Sequence, residues 1–443
     1  MDESRIPIID VRQEASALLE ALRGRSLADL PAEVETQTRA ILAAVRERGD
    51  DAVLDYGRQF DCPTLTAATL RVSAGEIEAA YQQVSAEWLA AFRLARDNIR
   101  VYHERLRPGS WLDSFDGLWL GQRVLPLAAV GIYVPGGKAP LPSTVAMCAV
   151  PAAVAGVPRR VLATPPQRDG SLDPTLLVAA AECGVSEIYR MGGAQAVAAL
   201  AYGTASVPPV DKIVGPGNPY VVMAKKLVYG VVGIESLPGP SESLIIADSA
   251  ADPSLLAADL LSQAEHTGDN TVVLLTTDPA LAEAVREEAY RQLAELPRME
   301  LTARSLGQYG LIAVVASLQQ AVALSNDIAP EHLELSVADP LALLEQVTNA
   351  GCICLGHQTP VPLADYAAGP SHVLPTNGTA RFSSPLSVED FVKKSSLVYA
   401  TGDGLQRLGE SVRILAEGEG LYAHARAVTR RLESPQQGVT DNE

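Results

Sequence analysis

From about residue 120 onward the chain repeats one pattern: a short run rich in β-branched residues, then a longer Ala-rich stretch with helical spacing. This alternation constrains the fold strongly, because parallel strands need long crossover connections and a helix is the usual one. A first series places strands at residues 130–134, 161–164, 187–190 and 212–214. A second runs strand 244–247, helix 253–266, strand 271–276, helix 279–296, strand 311–316 and helix 318–326, with 353–355 as a further strand. Two α/β units around mostly parallel sheets are expected, and 443 residues suffice for more than one core. Residues 10–115 read as helical scaffold, with apolar residues at three- and four-residue spacing through 40–56 and 77–99. Residues 387–396 and 410–432 also read as helical, and the polar tail 434–443 as frayed.

Charge narrows the partners. Lys and Arg number 35 against 53 Asp and Glu, a net charge of −18, which repels nucleic acid and anionic membrane surfaces. The five cysteines (Cys62, Cys148, Cys183, Cys352, Cys354) are scattered and never spaced Cys-x-x-Cys, which fits free thiols in a reducing compartment and leaves any metal to N and O ligands. The acidic start lacks a secretion signal's basic and apolar regions, so a cytoplasmic location is expected. Uncharged stretches at 139–158, 191–210 and 305–326 have the length of a membrane span but are broken by Pro and Gly or dotted with Gln and Ser, so they read as buried elements of a core.

Two nucleotide motifs fail. Gly215-Pro216-Gly217-Asn218-Pro219-Tyr220 lacks the third glycine of a dinucleotide fingerprint. Around Gly136-Gly137-Lys138 a P-loop would need glycine at Ile132 and Ser or Thr at Ala139. Both turns nevertheless follow strands, where α/β folds open their ligand crevices.

There are six histidines. Gln263 and His266 share a helix face and could converge on one ion, although a solvated polar face is the plainer alternative. Pro330 disfavours helix at Ala329, so Glu331 and His332 are expected at a bend, where adjacent side chains can share a pocket. Such a pair suits proton transfer. Residues 365–372 gather Asp365, Tyr366 and His372 in a Gly- and Pro-containing loop, the composition of a binding loop or of an ordinary turn. Glu419 and His424 add an acid and a base near the end, where helix surface is the default. His103 and His357 receive no role.

Taken in order, eight segments resemble the histidinol dehydrogenase family: GIYVPGG (131–137), GGAQA (192–196), VDKIVGPGN (210–218), GPSE (239–242), LSQAEH (261–266), APEHLE (329–334), DYAAGPSHVLPT (365–376) and RFSSPLS (381–387). The resemblance implies one Zn2+ per subunit held by Gln263, His266, Asp365 and His424. It implies a proton-transfer pair in Glu331 and His332, and NAD contacts at Tyr133, Gln195 and Asn218. Substrate contacts would be Ser241, Gln263, His266, His332, Asp365, His372, Glu419 and His424. The implied fold is α/β: two incomplete Rossmann-like domains with small helical N- and C-terminal segments, in an intertwined homodimer with shared sites. Its boundaries would be an N-terminal helical segment 1–27, a discontinuous first α/β domain 28–132 plus 241–386, a second, NAD-side domain 133–240, a C-terminal helical dimerisation segment 387–433, and the tail 434–443. Two positions depart from the usual family pattern, Ala364 where Gly commonly precedes the Asp-Tyr pair and Pro238 where Ala is more common; neither removes a functional side chain.

The reaction implied is oxidation of L-histidinol to L-histidine through L-histidinaldehyde, with two NAD molecules reduced. His332 would act as the base of both oxidations and Glu331 would serve the hydrating water. Three rival readings are a zinc hydrolase, a relative oxidising another small alcohol, and a non-catalytic binding protein.

Overall fold

The structure is a computed structural model that describes residues 5–14, 31–136, 140–266 and 268–433. The chain forms two compact units, one of Met1–Arg107 with Leu127–Phe391, the other of Pro108–Pro126 with Val392–Glu443.

The first unit contains two wholly parallel sheets. In the larger, the spatial order is β1 (Ile8–Asp10), β11 (Gly310–Val314), β10 (Thr271–Thr276), β9 (Glu242–Ala247), β12 (His332–Ser336), β13 (Cys352–Leu355). In the smaller it is β6 (Glu187–Arg190), β5 (Arg159–Thr164), β4 (Ala129–Tyr133), β7 (Lys212–Val214), β8 (Gly233–Ile234). From β9 in one and β4 in the other, the chain steps outward twice and then returns to the far side of its starting strand. Both series therefore share the order 3-2-1-4-5, with β1 added at an edge of the larger sheet.

Strands β9 to β12 are buried almost throughout, which is why they read as continuous apolar runs rather than alternating ones. On one face Ile245, Leu274 and Ile312 pack with Leu256 and Leu260 of the helix Pro253–Ala264. On the other, Leu244, Ile246, Val273 and Leu333 pack with Val322 of the helix Leu318–Ile328. The crossover helices begin where Asp-Pro says they should: the Asp252 side chain accepts from Ser254 N–H and Asp278 from Ala280 N–H, each with proline at the first helical position.

The second unit holds an antiparallel sheet in the order β14 (Val392–Ala400), β3 (Leu118–Pro126), β2 (Trp111–Phe115), followed by helices Gly402–Gly418 and Tyr422–Glu433.

Several expectations need correction. The stretch 387–396, read as helical, is a single 3-10 turn at Val388–Phe391 followed by strand. The helical reading of 410–432 is interrupted at Gly420, where φ is +76°. The segment 1–27 is strand at Ile8–Asp10 rather than helix; residues 15–27 lie outside the described residues, as do Gly137, Lys138, Ala139 and the tail 434–443. Residues 111–126, placed with the first α/β domain, form a hairpin of the second unit. Its turn is Asp116-Gly117, with φ of +44° and +80°, the conformation that favours Asp-Gly in two-residue hairpins. Among the described residues no helix is long and apolar enough to cross a membrane.

Candidate active site

The chemistry-bearing side chains gather at the amino ends of β9, β12 and β13, the edge opposite to the one where parallel α/β sheets usually bind ligands. The helix Leu318–Ile328 ends at Ala329 in a left-handed conformation, φ +53° and ψ +63°. Pro330 follows, and Glu331 sits in the bend before His332 opens β12. This sharp entry turns both side chains to one place. Glu331 Oε2 accepts the Glu242 N–H at 2.8 Å and lies 3.8 Å from His332 Nδ1. His332 Nδ1 faces the Glu242 carbonyl oxygen at 3.2 Å, and its Nε2 faces Asp365 Oδ1 at 3.2 Å.

Both ring nitrogens of His332 thus point at acceptors, which calls for a proton on each. Burial alone pulls the ring's pKa down, but the Glu331 and Asp365 carboxylates outweigh it and push it up to about 9. Burial likewise drives Glu331 up to about 7, against the opposing pull of His332 and the Glu242 N–H. Asp365 moves the other way: its burial is overcome by His332, with His372 and His266 adding to the effect, so its carboxyl is held low. His372 donates from Nδ1 to the Asp365 carbonyl at 2.9 Å, and its Nε2 meets Thr144 Oγ1 at 3.1 Å. Burial lowers its pKa, which fits a neutral ring that accepts the threonine hydroxyl proton.

Gln263 lies in the last turn of the helix Pro253–Ala264 with 1% of its surface exposed, and neither side-chain amide atom has a hydrogen-bond partner among the described residues. A buried amide left without partners costs on the order of 1–3 kcal/mol, so it points to a group that completes it. His266 is exposed, and its Nδ1 lies 3.2 Å from the Gln263 carbonyl oxygen. Donation there selects the tautomer that carries its lone pair on Nε2, the usual arrangement of a metal-binding histidine. Among the described residues no group of three or more His, Cys, Asp or Glu is placed to hold a metal ion; His266 and Asp365 supply two of those types and Gln263 a third, different donor.

Comparison with known proteins decides the family. The profile of one family, described as histidinol dehydrogenase, matches residues 25–432. The chain is 54% identical to the histidinol dehydrogenase of Moorella thermoacetica, covering 97% of this chain and 100% of that one. It is 53% identical to the histidinol dehydrogenase of a Synechococcus species, over 96% and 99%. Among solved structures, the crystal structure of histidinol dehydrogenase from Elizabethkingia anophelis superposes with a TM-score of 0.92 at 36% identity, covering 97% of this chain and 98% of that one. The chain belongs to the histidinol dehydrogenase family.

The residues expected on the NAD side of a histidinol dehydrogenase cluster at the carboxyl ends of the smaller sheet. Tyr133 ends β4, and its buried hydroxyl accepts the Gly193 N–H at 3.1 Å; burial pushes its pKa up to about 12. Gln195 is buried in the helix that Gly193 begins, and its Nε2 has no hydrogen-bond partner among the described residues. Asn218 is exposed, and its Oδ1 caps the helix Pro219–Val228 by accepting from Tyr220 and Val221 N–H. Ser241 precedes β9, where its carbonyl accepts from Thr271 N–H. Glu419 and His424 belong to the second unit, exposed at the end of one helix and in the first turn of the next. Ala364 adopts ordinary right-handed helical angles, so alanine in place of the family's usual glycine meets no strain there.

Sequence reasoning missed four participants. Glu242 is the hub: its N–H and C=O hold Glu331 and His332, and its carboxylate accepts from Asn377 N–H at 3.2 Å. Thr144 anchors His372. Asp61 lies against Gly192, beside Gln195's helix, and burial raises its carboxyl to about 6. Cys352 stands opposite His332 across the β12–β13 ladder, and a hydrogen bond from Cys354 draws its thiol down to about 7. The GPSE motif pointed to Glu242; nothing in the sequence pointed to the other three.

Proposed function

We propose that this histidinol dehydrogenase family member oxidises L-histidinol to L-histidine through L-histidinaldehyde, passing two hydrides to two NAD molecules in turn. The observation that carries the reading is the His332 ring held between the Glu242 carbonyl and the Asp365 carboxylate, with the unpartnered Gln263 amide nearby in the same unit. Because Nδ1 is committed to the backbone, Nε2 is the nitrogen that exchanges a proton with the substrate, which takes the place Asp365 has here. With Asp365 drawn away from the ring, Nε2 gives up the proton that this carboxylate holds on it, and the neutral imidazole accepts the alcohol proton in the first oxidation and, once freed of it, the hydrate proton in the second. Glu331, on the other side of the ring, activates the water that hydrates the aldehyde.

The donor set fits a zinc ion. Gln263, His266 and Asp365 of one chain, with His424, would hold it; Zn2+ is redox-inert and supplies orientation and polarisation of the bound substrate. His372 steadies the Asp365 backbone from behind, and Ser241 and Glu419 complete the substrate contacts. Tyr133, Gln195 and Asn218 would take NAD at the carboxyl ends of β4 and its neighbours, the topological switch point of the 3-2-1-4-5 order. We read the two parallel sheets as the cores of two Rossmann-like halves. The expected helical segment 387–433, with its strand, would form the dimer and complete the partner's site in an intertwined homodimer. A cytoplasmic setting agrees with five free cysteines.

The decisive experiment follows NADH absorbance with L-histidinol before and after chelation, then after added zinc. Activity lost to the chelator and restored by zinc is expected. No NADH under any condition would leave the hydrolase or a non-catalytic role, and NADH only with other small alcohols would change the substrate.

A further inference from the structure

Cys352 and Cys354 stand two apart on β13, so their side chains leave the same face of the sheet. The Cys354 thiol is near enough to that of Cys352 to draw its pKa down. Register sets Cys352 opposite His332 and Cys354 opposite Glu334, so the pair shares a face with the clamped imidazole. Val361 and Ala364, on the segment that leads into Asp365, pack on Cys354, and Cys352 lies against the same cluster. Of the five cysteines Cys352 alone is partly exposed; Cys62, Cys148, Cys183 and Cys354 are buried.

We propose that Cys352 and Cys354 form a dithiol modification site in the wall of the catalytic pocket, one that takes a thiophilic electrophile able to bridge two sulfurs, with a trivalent arsenoxide as the type ligand. Strand geometry favours a bridge over a disulfide. Two rises of about 3.3 Å place the Cα atoms about 6.6 Å apart, at the far end of what a disulfide spans, and the bond would have to draw the sulfurs to about 2 Å. A bridging atom spans two thiols on one strand face without that compression.

The chemistry balances without an oxidant. An arsenoxide, R–As=O, meets two thiols; two As–S bonds form, the arsenic–oxygen bonding is lost, and the oxygen leaves with both thiol protons as water. The adduct occupies the space beneath Val361 and Ala364 and displaces Asp365 from His332. Attachment rests on the geometry of the pair; its effect on turnover rests on the oxidation reading above.

The test treats the purified full chain with phenylarsine oxide and reads the free-thiol count, the mass of the peptide containing Cys352 and Cys354, and NADH formation from L-histidinol. Expected are the loss of two titratable thiols, an adduct on that peptide and loss of turnover, all reversed by a small dithiol and not by an equal concentration of monothiol. Cys354→Ser is expected to keep turnover, and both Cys352→Ser and Cys354→Ser to release the arsenical to the monothiol. An adduct on Cys62, Cys148 or Cys183, a Cys352→Ser variant inactivated as readily as the wild type, or full modification with turnover unchanged would each overturn the proposal. If the untreated chain forms no NADH, the oxidation reading fails, while thiol count and peptide mass still decide the dithiol.

Discussion

Glu331 and His332 are neighbours in the chain with opposite surroundings. His332 is bracketed by two acceptors, whereas Glu331 is a desolvated carboxyl whose pKa burial has raised to about 7. A water-activating Glu331 must be ionised, so the aldehyde-to-acid step is expected to quicken as pH rises through about 7 and to level off above it. Glu331→Gln is expected to slow that step by about 10²-fold or more, to erase its pH dependence, and to leave alcohol oxidation near wild type. His332→Ala is expected to slow both steps by about 10²–10⁴. Stopped-flow NADH traces started from histidinol and from histidinaldehyde separate the two, and an equal loss in both steps for Glu331→Gln would refute the division of labour. At this scale the sequence spoke through Pro330, which forecast the bend. The GPSE motif marked Glu242 without its task, because the groups that hold Glu331 and His332 are its backbone N–H and C=O, which almost any residue could supply.

At the scale of elements, the turn after β7 shows how a glycine motif can serve packing. Gly215 has φ +113°, and a Cβ there would lie 2.0 Å from the Tyr133 carbonyl oxygen, so the ends of β4 and β7 approach only because the side chain is missing. Beneath it Lys225, fully buried, donates to the Gly215 carbonyl at 3.1 Å and to Glu235 Oε1 at 2.6 Å, while Glu235 accepts the Gly215 N–H at 2.8 Å. Lys225→Met strands the Glu235 carboxylate in the interior and is expected to cost about 3–5 kcal/mol in urea unfolding. Adding Glu235→Leu is expected to recover most of that loss, and a single variant as stable as wild type would show that the pair is not structural. Parallel strands were legible because each is a short apolar run between helices. The antiparallel sheet was not: β14 pairs with β3 across more than two hundred residues of chain, its exposed Lys393, Lys394 and Ser395 mimic a helix surface, and the Asp116-Gly117 signal was present but unread.

For the whole molecule, two expectations test assembly and stability. Asp259 and Glu334 are neighbouring carboxyls, and burial raises the pKa of both. A raised acid stabilises the fold below the ordinary carboxylate range, and that contribution is lost as pH climbs through its native value. The urea midpoint is therefore expected to fall between about pH 6 and about pH 9, and Glu334→Gln to flatten the decline; an unchanged slope would remove the pair as its cause. If His424 completes the site of a partner chain, mixing Gln263→Ala chains with His424→Ala chains is expected to regenerate activity through hybrid dimers. A mixture as inactive as its parents would argue for sites built within one chain.

Local chemistry was written in the residues themselves: strand and helix alternation, Asp-Pro helix starts, the bend at Pro330 and the N/O donor types all follow from short-range stereochemistry. So did the family, whose segments keep their order along the chain. Tertiary structure alone decided that Glu242 holds both Glu331 and His332, that these two lie at the amino edge of their sheet, and that two thiols stand beside His332. Each depends on which strands become neighbours and in what register, and register is settled by the packing of distant segments on one another.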